Sequence, residues 1–547
     1  MSSSSTEQPA LQRQVGLVAL TLIAAGGILG SGWLFSPLLT AQLAGPASII
    51  SWAIGAVAML LVAFCFAEVS SVLPVAGGIA RIPRYTHGDI TAAVIGWTAW
   101  VGYCTAAPIE VAVVMRYASQ TWPELVAHVD GAAVAQSGDA RLSVLGFGIA
   151  GFLLTIFILI NAFGAAAFAR ANSAITWLKF AVPVLVAITF IVSRFDVGNF
   201  SQTAGFAPYG LHGILAAVSS GGIVFALIGF RHALDMAGET RNPSRNVPLA
   251  LIFGLLLPLF IYLLLQIAFI GALDPSELKN GWVSVEASHG LGPLAAISAT
   301  LGISWLTAVI YGGALIGPAG GALVATGSNA RLAFALSRNQ FLPTMFERLT
   351  RRGIPLNAMI LNFLLGFLLL ALLEFKSIVA INSAAIVLSF SIGPVAVISL
   401  RRHMPNAEKR FHIPFPRLIA TLGFTVSALI VYWSGWTSMV LLLLIVLASV
   451  VTLVCKRLLI EKKPWSSLDI RESLWLIPFL GSLTLLSRLG NFGGTGTIPF
   501  GWDLLLLVLL TMVNFLIAIW CSLDNKKAEL YRETHKPIGG LDKDVPP

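Results

Sequence analysis

Among the ionisable side chains that stand inside apolar runs of this chain are Glu110, Lys179, Arg231 and His232. A charge at the centre of a bilayer costs roughly 2.5–3.5 kcal/mol on insertion scales, so such residues face a cavity or a partner. Glu110 follows Pro108, and Trp100, Tyr103, Ala107 and Glu110 form one helical stripe, which turns the carboxyl inward. Shielded from water, it is a candidate for carrying a proton; the alternative is a structural hydrogen-bonding or ion-pair partner. Lys179, in ANSAITWLKFAVPVL, shares a face with Asn172 and Thr176. Its ammonium either serves a buried site or snorkels to the inner interface. Arg231 offers a permanent charge and a planar fork suited to a carboxylate, or else pairs with Asp235 one turn on. His232 belongs to the one residue type that changes charge near neutral pH, although a histidine beside an arginine is more often simply packed.

The elements that carry these residues follow from composition. Of 547 residues, 57% are hydrophobic and 11% charged, with a mean hydropathy of +0.85. Soluble proteins have roughly 45–50% apolar and about 25% charged residues, so this chain belongs in a bilayer. A span needs about 20 mostly apolar residues. The sequence predicts an all-α membrane protein of fourteen spans, at 15–42, 47–73, 91–120, 143–164, 171–193, 211–237, 247–272, 293–335, 355–373, 377–400, 416–433, 437–455, 472–489 and 503–522. The opening MSSSSTEQPALQRQ reads as a polar tail, and the run after it is too long for a signal-peptide core.

With the N-terminus inside, 26 of the 34 Lys and Arg residues fall on the cytoplasmic side, against five outside and three within spans. That bias fixes the register and puts both tails in the cytoplasm. The inside residues include Arg81, Arg84, Arg401, Arg402, Lys409, Arg410, Lys463, Lys536 and Lys543. The net charge of +9 therefore points to an anionic membrane face, not to nucleic acid. Cys65, Cys104, Cys455 and Cys521 are far apart and show neither metal nor disulfide spacing.

Two spans carry glycine clusters at membrane depth: AAGGILGSGWLFSP in the first and SSGGIVFALIGFRHALD in the sixth. Glycine costs about 1 kcal/mol against alanine inside a helix, so these clusters imply unwinding around a cavity or, alternatively, close helix packing. Breaks five spans apart match an inverted repeat with a midplane site. A phosphate-binding loop at GGILGSG would need a strand before it, and both flanks are apolar and membrane-length.

Four motifs then carry a family resemblance. They are Gly30-Ser31-Gly32 with Phe35 and Pro37; LPVAGGIARIPRYTHGD with Gly96-Trp97, read as a loop after the second span; GFRHALDMAGETRNPSRNVPLA; and GSNARLAFALSRNQFLPTMFERLTRRGIPLNA at the end of the eighth. In this order they resemble the amino acid–polyamine–organocation superfamily of permeases over about residues 15–455, and within it the aspartate–proton symporter branch. The resemblance implies two five-helix inverted repeats at 15–194 and 195–402, with discontinuous first and sixth helices. Four further helices would follow at 403–522, between cytoplasmic tails at 1–14 and 523–547. It implies that a substrate α-carboxylate meets Ser31 and the backbone around Gly30 and Gly32. The α-ammonium would meet the carbonyls of Ile28, Phe225 and Ile228, with Phe225 as an aromatic gate. Lys179 matches a lysine that stands where sodium-dependent relatives bind the ion.

Several relatives carry an acidic residue at or near position 231, so Arg231 is a departure, one that repels cationic substrates. The resulting expectation is a sodium-independent, proton-coupled amino-acid transporter of the inner (plasma) membrane, leaning to aspartate or glutamate, without cofactor or metal. Its partners are the amino acid, protons and the lipid bilayer. A neutral amino-acid exchanger and a non-transporting nutrient sensor of the same fold are the alternatives. An enzyme would need convergent catalytic motifs, and none occurs in the sequence.

Overall fold

The structure, a computed structural model, describes residues 13–534 except 76, 120, 128–140, 164, 202–204, 286–291, 374, 406–410, 463 and 465–467. Most of both predicted tails, and the basic residues Lys409, Arg410, Lys463, Lys536 and Lys543, lie outside the described residues. The described part is helical. Its only bridges between extended segments are Val15 with Thr240 and Val126 with Leu142.

The first apolar run is broken into α1 (Leu17–Ile28) and α2 (Gly32–Ala44), and α3 (Ser48–Val72) follows. Next come α4 (Gly78–Ala118), α5 (Val144–Ala162) and α6 (Ala165–Ser193). The sixth predicted run is in pieces: α7 (Gly210–Ser219), α8 (Ile223–Leu227), a 3-10 turn at Ile228–Arg231 and α9 (His232–Asp235). Then come α10 (Pro243–Ala272), α11 (Pro293–Thr300), α12 (Ser304–Arg338) and α13 (Leu356–Leu372). The chain continues through α14 (Phe375–Phe390), α15 (Ile392–His403), α16 (Pro416–Trp433) and α17 (Trp436–Cys455). It ends in α18 (Ile470–Ser473), α19 (Leu476–Leu489), α20 (Trp502–Trp520) and α21 (Asn525–Thr534). By length and apolar composition, 11 described stretches are able to cross a membrane. The kinked α4 and the long α12 pack side by side at the centre, with α1 and α6 against α12.

Two sequence expectations need correction. The run at 293–335 is not one helix. Gly302 adopts φ +72°, and Ser298 and Ile303 exchange hydrogen bonds across the turn, with the Ile303 N–H and the Ser298 hydroxyl donating at 3.0 Å each. A left-handed glycine ends α11, and α12 starts afresh. The segment after the second run is not a loop either: residues 78–87 are helical and bury Ile79, Ala80 and Ile82. Gly88, at φ +78° and ψ −165°, then kinks the chain into the long part of α4. A side chain there would overlap the Asp469 carboxylate, so only glycine fits on both counts.

Buried ion pairs tie the sequence motifs of the chain together at one end of the bundle. Arg331 in α12 grips Glu239 with two near-parallel hydrogen bonds, Nε to Oε1 at 2.7 Å and Nη2 to Oε2 at 2.9 Å. The Glu239 carbonyl accepts the backbone N–H groups of Gln14 and Val15, so the N-terminal segment docks on the same point. Glu68 in α3 binds Arg401 bidentately at 2.6 and 2.7 Å. The short helix 78–87 is held from the far end of the chain. Asp89 pairs with Arg84 at 2.8 Å and with Arg457, and its N–H donates to Asp469 at 3.1 Å. The Leu523 N–H donates to the Thr86 carbonyl, and His87 Nε2 lies 2.9 Å from the Ala518 carbonyl.

Removing one member of a buried pair strands the other charge, at a cost of about 3–5 kcal/mol. Arg331→Met should therefore lower the thermal unfolding temperature in detergent sharply. The double replacement Glu239→Leu with Arg331→Met should recover most of the loss. A single variant as stable as the parent would show that the pair is not needed for folding.

Candidate functional site

The site begins with backbone that has lost its helix. Between α1 and α2, Leu29 has ψ +57° and Ser31 starts the new helix without a side-chain cap. The carbonyls freed at the end of α1 cannot stay bare inside a bilayer. Lys179 of α6, Tyr262 of α10 and the Gly30 N–H supply partners there, and α6 also braces the Leu22 carbonyl further up α1. Asn172 Nδ2 and the Thr176 hydroxyl, both in α6, donate to the Leu22 carbonyl at 3.1 and 3.4 Å. Lys179 Nζ, on the same face of α6, donates to the Gly26 carbonyl at 2.6 Å. The Tyr262 hydroxyl from α10 donates to the Ile28 carbonyl at 2.8 Å, and the Gly30 N–H donates to the same oxygen at 2.9 Å. Both lone pairs of the Ile28 carbonyl are thus taken.

On the other side of the break, donors instead of acceptors are exposed. The Ser31 hydroxyl and backbone N–H both give hydrogen bonds to the Glu110 carboxylate of α4. Its Oε2 finds no partner among the described residues. The stripe Trp100, Tyr103, Ala107 and Glu110 is buried throughout, as its spacing predicts.

Glycine makes these approaches possible. A Cβ at Gly30 would overlap the Glu110 carboxyl, and one at Gly321 of α12 would stand 3.1 Å from the same group and 3.2 Å from the Gly30 Cα. A Cβ at neighbouring Gly320 would overlap Lys179. The Gly320-Gly321 pair therefore leaves room for one ammonium and one carboxylate side by side. The two broken helices themselves touch at Gly27 and Gly229, where a Cβ on Gly229 would overlap the Gly27 backbone. Gly32 lies close to Ala226 and the Tyr262 hydroxyl. Both readings of the glycine clusters hold at once: the helices unwind, and they pack backbone to backbone.

The second break is built around Gly222, at φ +84°, followed by the single turn of α8. Phe225 is half-buried there, and Ile228 is buried at the start of the 3-10 turn. Arg231 is enclosed. Its guanidinium carbon lies 3.4 Å from the centroid of the Tyr103 ring, and Nη1 donates to Asn329 at 2.9 Å and to Asp235 at 3.4 Å. The pair with Asp235 is therefore present, while Nε has no partner among the described residues. Asn329 passes the link on by donating to the Tyr103 carbonyl at 2.7 Å. His232 Nδ1 lies 2.5 Å from the Ser328 hydroxyl, and its ring covers Gly27.

Sequence reasoning missed Tyr262, Ser328, Asn329 and the Gly320-Gly321 pair as parts of this assembly. Tyr262 and Gln266 are the polar interruptions of PLFIYLLLQ, a signal open to reading. Ser328 and Asn329 sit inside the GSNAR motif but carry no chemistry on their own. Among the described residues no group of three or more His, Cys, Asp or Glu is able to hold a metal ion.

Comparison with known proteins identifies the family. The sequence profile of the amino acid permease family matches residues 15–454. A glutamate/serine transporter of Bacillus subtilis is 33% identical, over 96% of this chain and 96% of its own length. An aspartate-proton symporter of the same organism is 33% identical over 92% and 95%, and its branched-chain amino acid permease is 25% identical over 80% and 91%. Near-complete coverage on both sides extends the likeness past the residues of the two breaks to the appended C-terminal helices. The chain belongs to the amino acid permease family of the amino acid–polyamine–organocation superfamily, whose members are membrane transporters and not enzymes.

Proposed function

We propose that this protein imports amino acids across the plasma membrane by alternating access, coupled to protons and independent of sodium, with a preference for aspartate or glutamate. In this reading the chain has fourteen spans with both termini in the cytoplasm. Residues 15–194 and 195–402 form the two inverted repeats, and the paired breaks at Leu29–Ser31 and Ser220–Gly222 form the substrate site. One observation carries it. The Glu110 carboxylate occupies the Ser31 donors at the first break, while the Lys179 ammonium occupies the Gly26 carbonyl beside it.

Those contacts support a mechanism. The Ser31 hydroxyl and N–H are the donors that the family resemblance assigns to a substrate α-carboxylate, so Glu110 holds that seat while it is empty. An arriving carboxylate must displace Glu110, and two ionised carboxylates in one low-dielectric pocket repel strongly. Binding therefore requires a proton on Glu110, which returns to the Ser31 donors and loses the proton once the substrate leaves. Lys179 replaces a sodium ion: it is fixed to α1 through Gly26, rises from α6 and rests on Gly320 of α12. Phe225 closes over the substrate, and Gly30, Gly32 and Ile228 line its backbone contacts. Because the Ile28 carbonyl is occupied, the α-ammonium would take it only by displacing the Tyr262 hydroxyl.

The acidic preference draws on two relatives, which carry glutamate or serine and aspartate by name, and on the unpartnered Arg231 Nε as a donor for a second carboxylate. A second reading has its own support. Arg231 is already paired with Asp235 and Asn329, which favours a structural arginine and exchange of neutral amino acids.

In proteoliposomes, replacing sodium with choline should leave uptake unchanged, and a protonophore should abolish accumulation; strong sodium dependence would remove Lys179 from the cation position. Glu110→Gln keeps the shape without the titratable proton. Counterflow exchange should survive in that variant while pH-driven accumulation fails, and equal survival of both would make Glu110 structural. Excess unlabelled aspartate or glutamate should block uptake, and Arg231→Gln should weaken acidic competitors selectively, by about tenfold or more for a lost charged hydrogen bond. Competition by leucine or alanine without competition by aspartate would establish the neutral reading instead.

A further inference from the structure

A crevice of about 180 Å³ opens between α6 and α12, lined by Trp33, Lys179, Val182, Gly312, Gly313 and Gly317. It is distinct from the seat at Ser31. Leu178 and Ile316, 50% and 39% exposed on the flank of the bundle, stand at its mouth, so its entrance faces the bilayer interior. Glycine creates the space. A Cβ at Gly312 would meet nothing within 4 Å, whereas Gly313 already touches Val182 and the Trp33 ring.

The walls are apolar except at one end, where two donors stand. Trp33 is 1% exposed, and its Nε1 faces Gly317 on the crevice wall, where a Cβ would lie 3.0 Å from it. Among the described residues that indole N–H makes no hydrogen bond, although a buried tryptophan N–H ordinarily finds a partner. The second donor is the Lys179 ammonium, which has three N–H groups and gives one to Gly26. The Gly30 carbonyl stands on the same wall, 3.3 Å from where a Gly317 Cβ would lie, so the polar end offers two donors beside one acceptor. That set suits a carboxylic acid, which accepts through one oxygen and donates through the other. The apolar part is set by volume: a dry cavity of about 150 Å³ holds a benzene ring, so about 180 Å³ holds a ring with a carboxyl group.

We propose that this crevice binds a small lipophilic monocarboxylic acid of the aromatic class, entering from the bilayer. The ring lies against Val182, Gly312 and Gly313, and the carboxyl accepts from the Trp33 indole and the Lys179 ammonium. Lys179 joins α1, α6 and α12, so an occupant holds those three helices in one arrangement and slows transport without competing for the amino-acid site. That consequence rests on the transport reading; the binding itself does not.

The probe is radiolabelled benzoate, titrated onto the purified full-length protein in lipid nanodiscs. Saturable binding at one site per chain is expected. Gly312→Leu, which fills the open space, should abolish it, and Trp33→Phe should weaken it about tenfold or more. If Gly312→Leu does not fold, Val309→Trp closes the same crevice from its outer end. Unchanged binding in a folded variant of either kind overturns the site. Equal displacement of benzoate by toluene overturns the carboxylate contact. A second measurement uses counterflow uptake at equal pH on both faces, so that a weak acid collapses no gradient. Benzoate should lower Vmax at constant KM in the parent protein and leave Gly312→Leu unaffected. Saturable binding without any transport to inhibit would refute the transport reading and leave the crevice assigned.

Discussion

A helix cannot be interrupted inside a hydrocarbon layer unless something else satisfies its backbone. That requirement organises the centre of this molecule. The break after Ile28 frees carbonyls on one side and exposes donors on the other, and the surrounding helices answer in kind. Lys179 approaches the freed carbonyls from α6 and Tyr262 from α10, while Glu110 in α4 takes the donors at Ser31. The partners are side chains, which can let go, whereas helix hydrogen bonds would have to melt. A substrate bearing both an ammonium and a carboxylate offers the same two kinds of group. The interruption therefore costs little, and in the proposed reading its polarity is ready-made for a substrate.

Glycine enters this economy through distance more than through flexibility. Gly30 and Gly321 let the Glu110 carboxyl reach the break, Gly320 admits Lys179, and Gly27 and Gly229 bring the two interrupted helices into backbone contact. Only a few of these glycines need a left-handed backbone, Gly222 among them. The rest are present because a methyl group would overlap a charged side chain or another backbone. That explains why glycine clusters and buried ionisable residues occur in the same spans of one sequence.

Much of this is legible in the sequence. The apolar runs marked the helices, the glycines at 26–32 and 221–229 marked the breaks, and helical spacing alone turned Glu110 inward and put Lys179 on the face of Asn172 and Thr176. What stayed hidden depended on contacts between distant segments. Arg231 could bind a ligand or pair with Asp235, and only packing against Tyr103 and Asn329 shows how enclosed it is. The split near Gly302 was lost because the sequence on both sides is equally apolar and helical. The helix at 78–87 was mistaken for a loop because its Gly, Pro and Arg content reads as a connection, while its burial against α12 overrides that local signal.

The clasp on that short helix has a temporal side. Thr86, His87 and Asp89 are among the first tenth or two of the chain to be made, yet Arg457, Ala518 and Leu523 are among the last. At roughly 5–20 residues per second, the early segment waits on the order of tens of seconds for its partners during synthesis. Throughout that interval Asp89 has only Arg84 nearby, and the Thr86 carbonyl lacks the Leu523 N–H. The bundle is therefore finished from its C-terminus backwards: insertion of α20 is the event that locks an element made hundreds of residues earlier. A chain cut short before that point keeps the residues of its central helices but lacks the contacts that fasten this end.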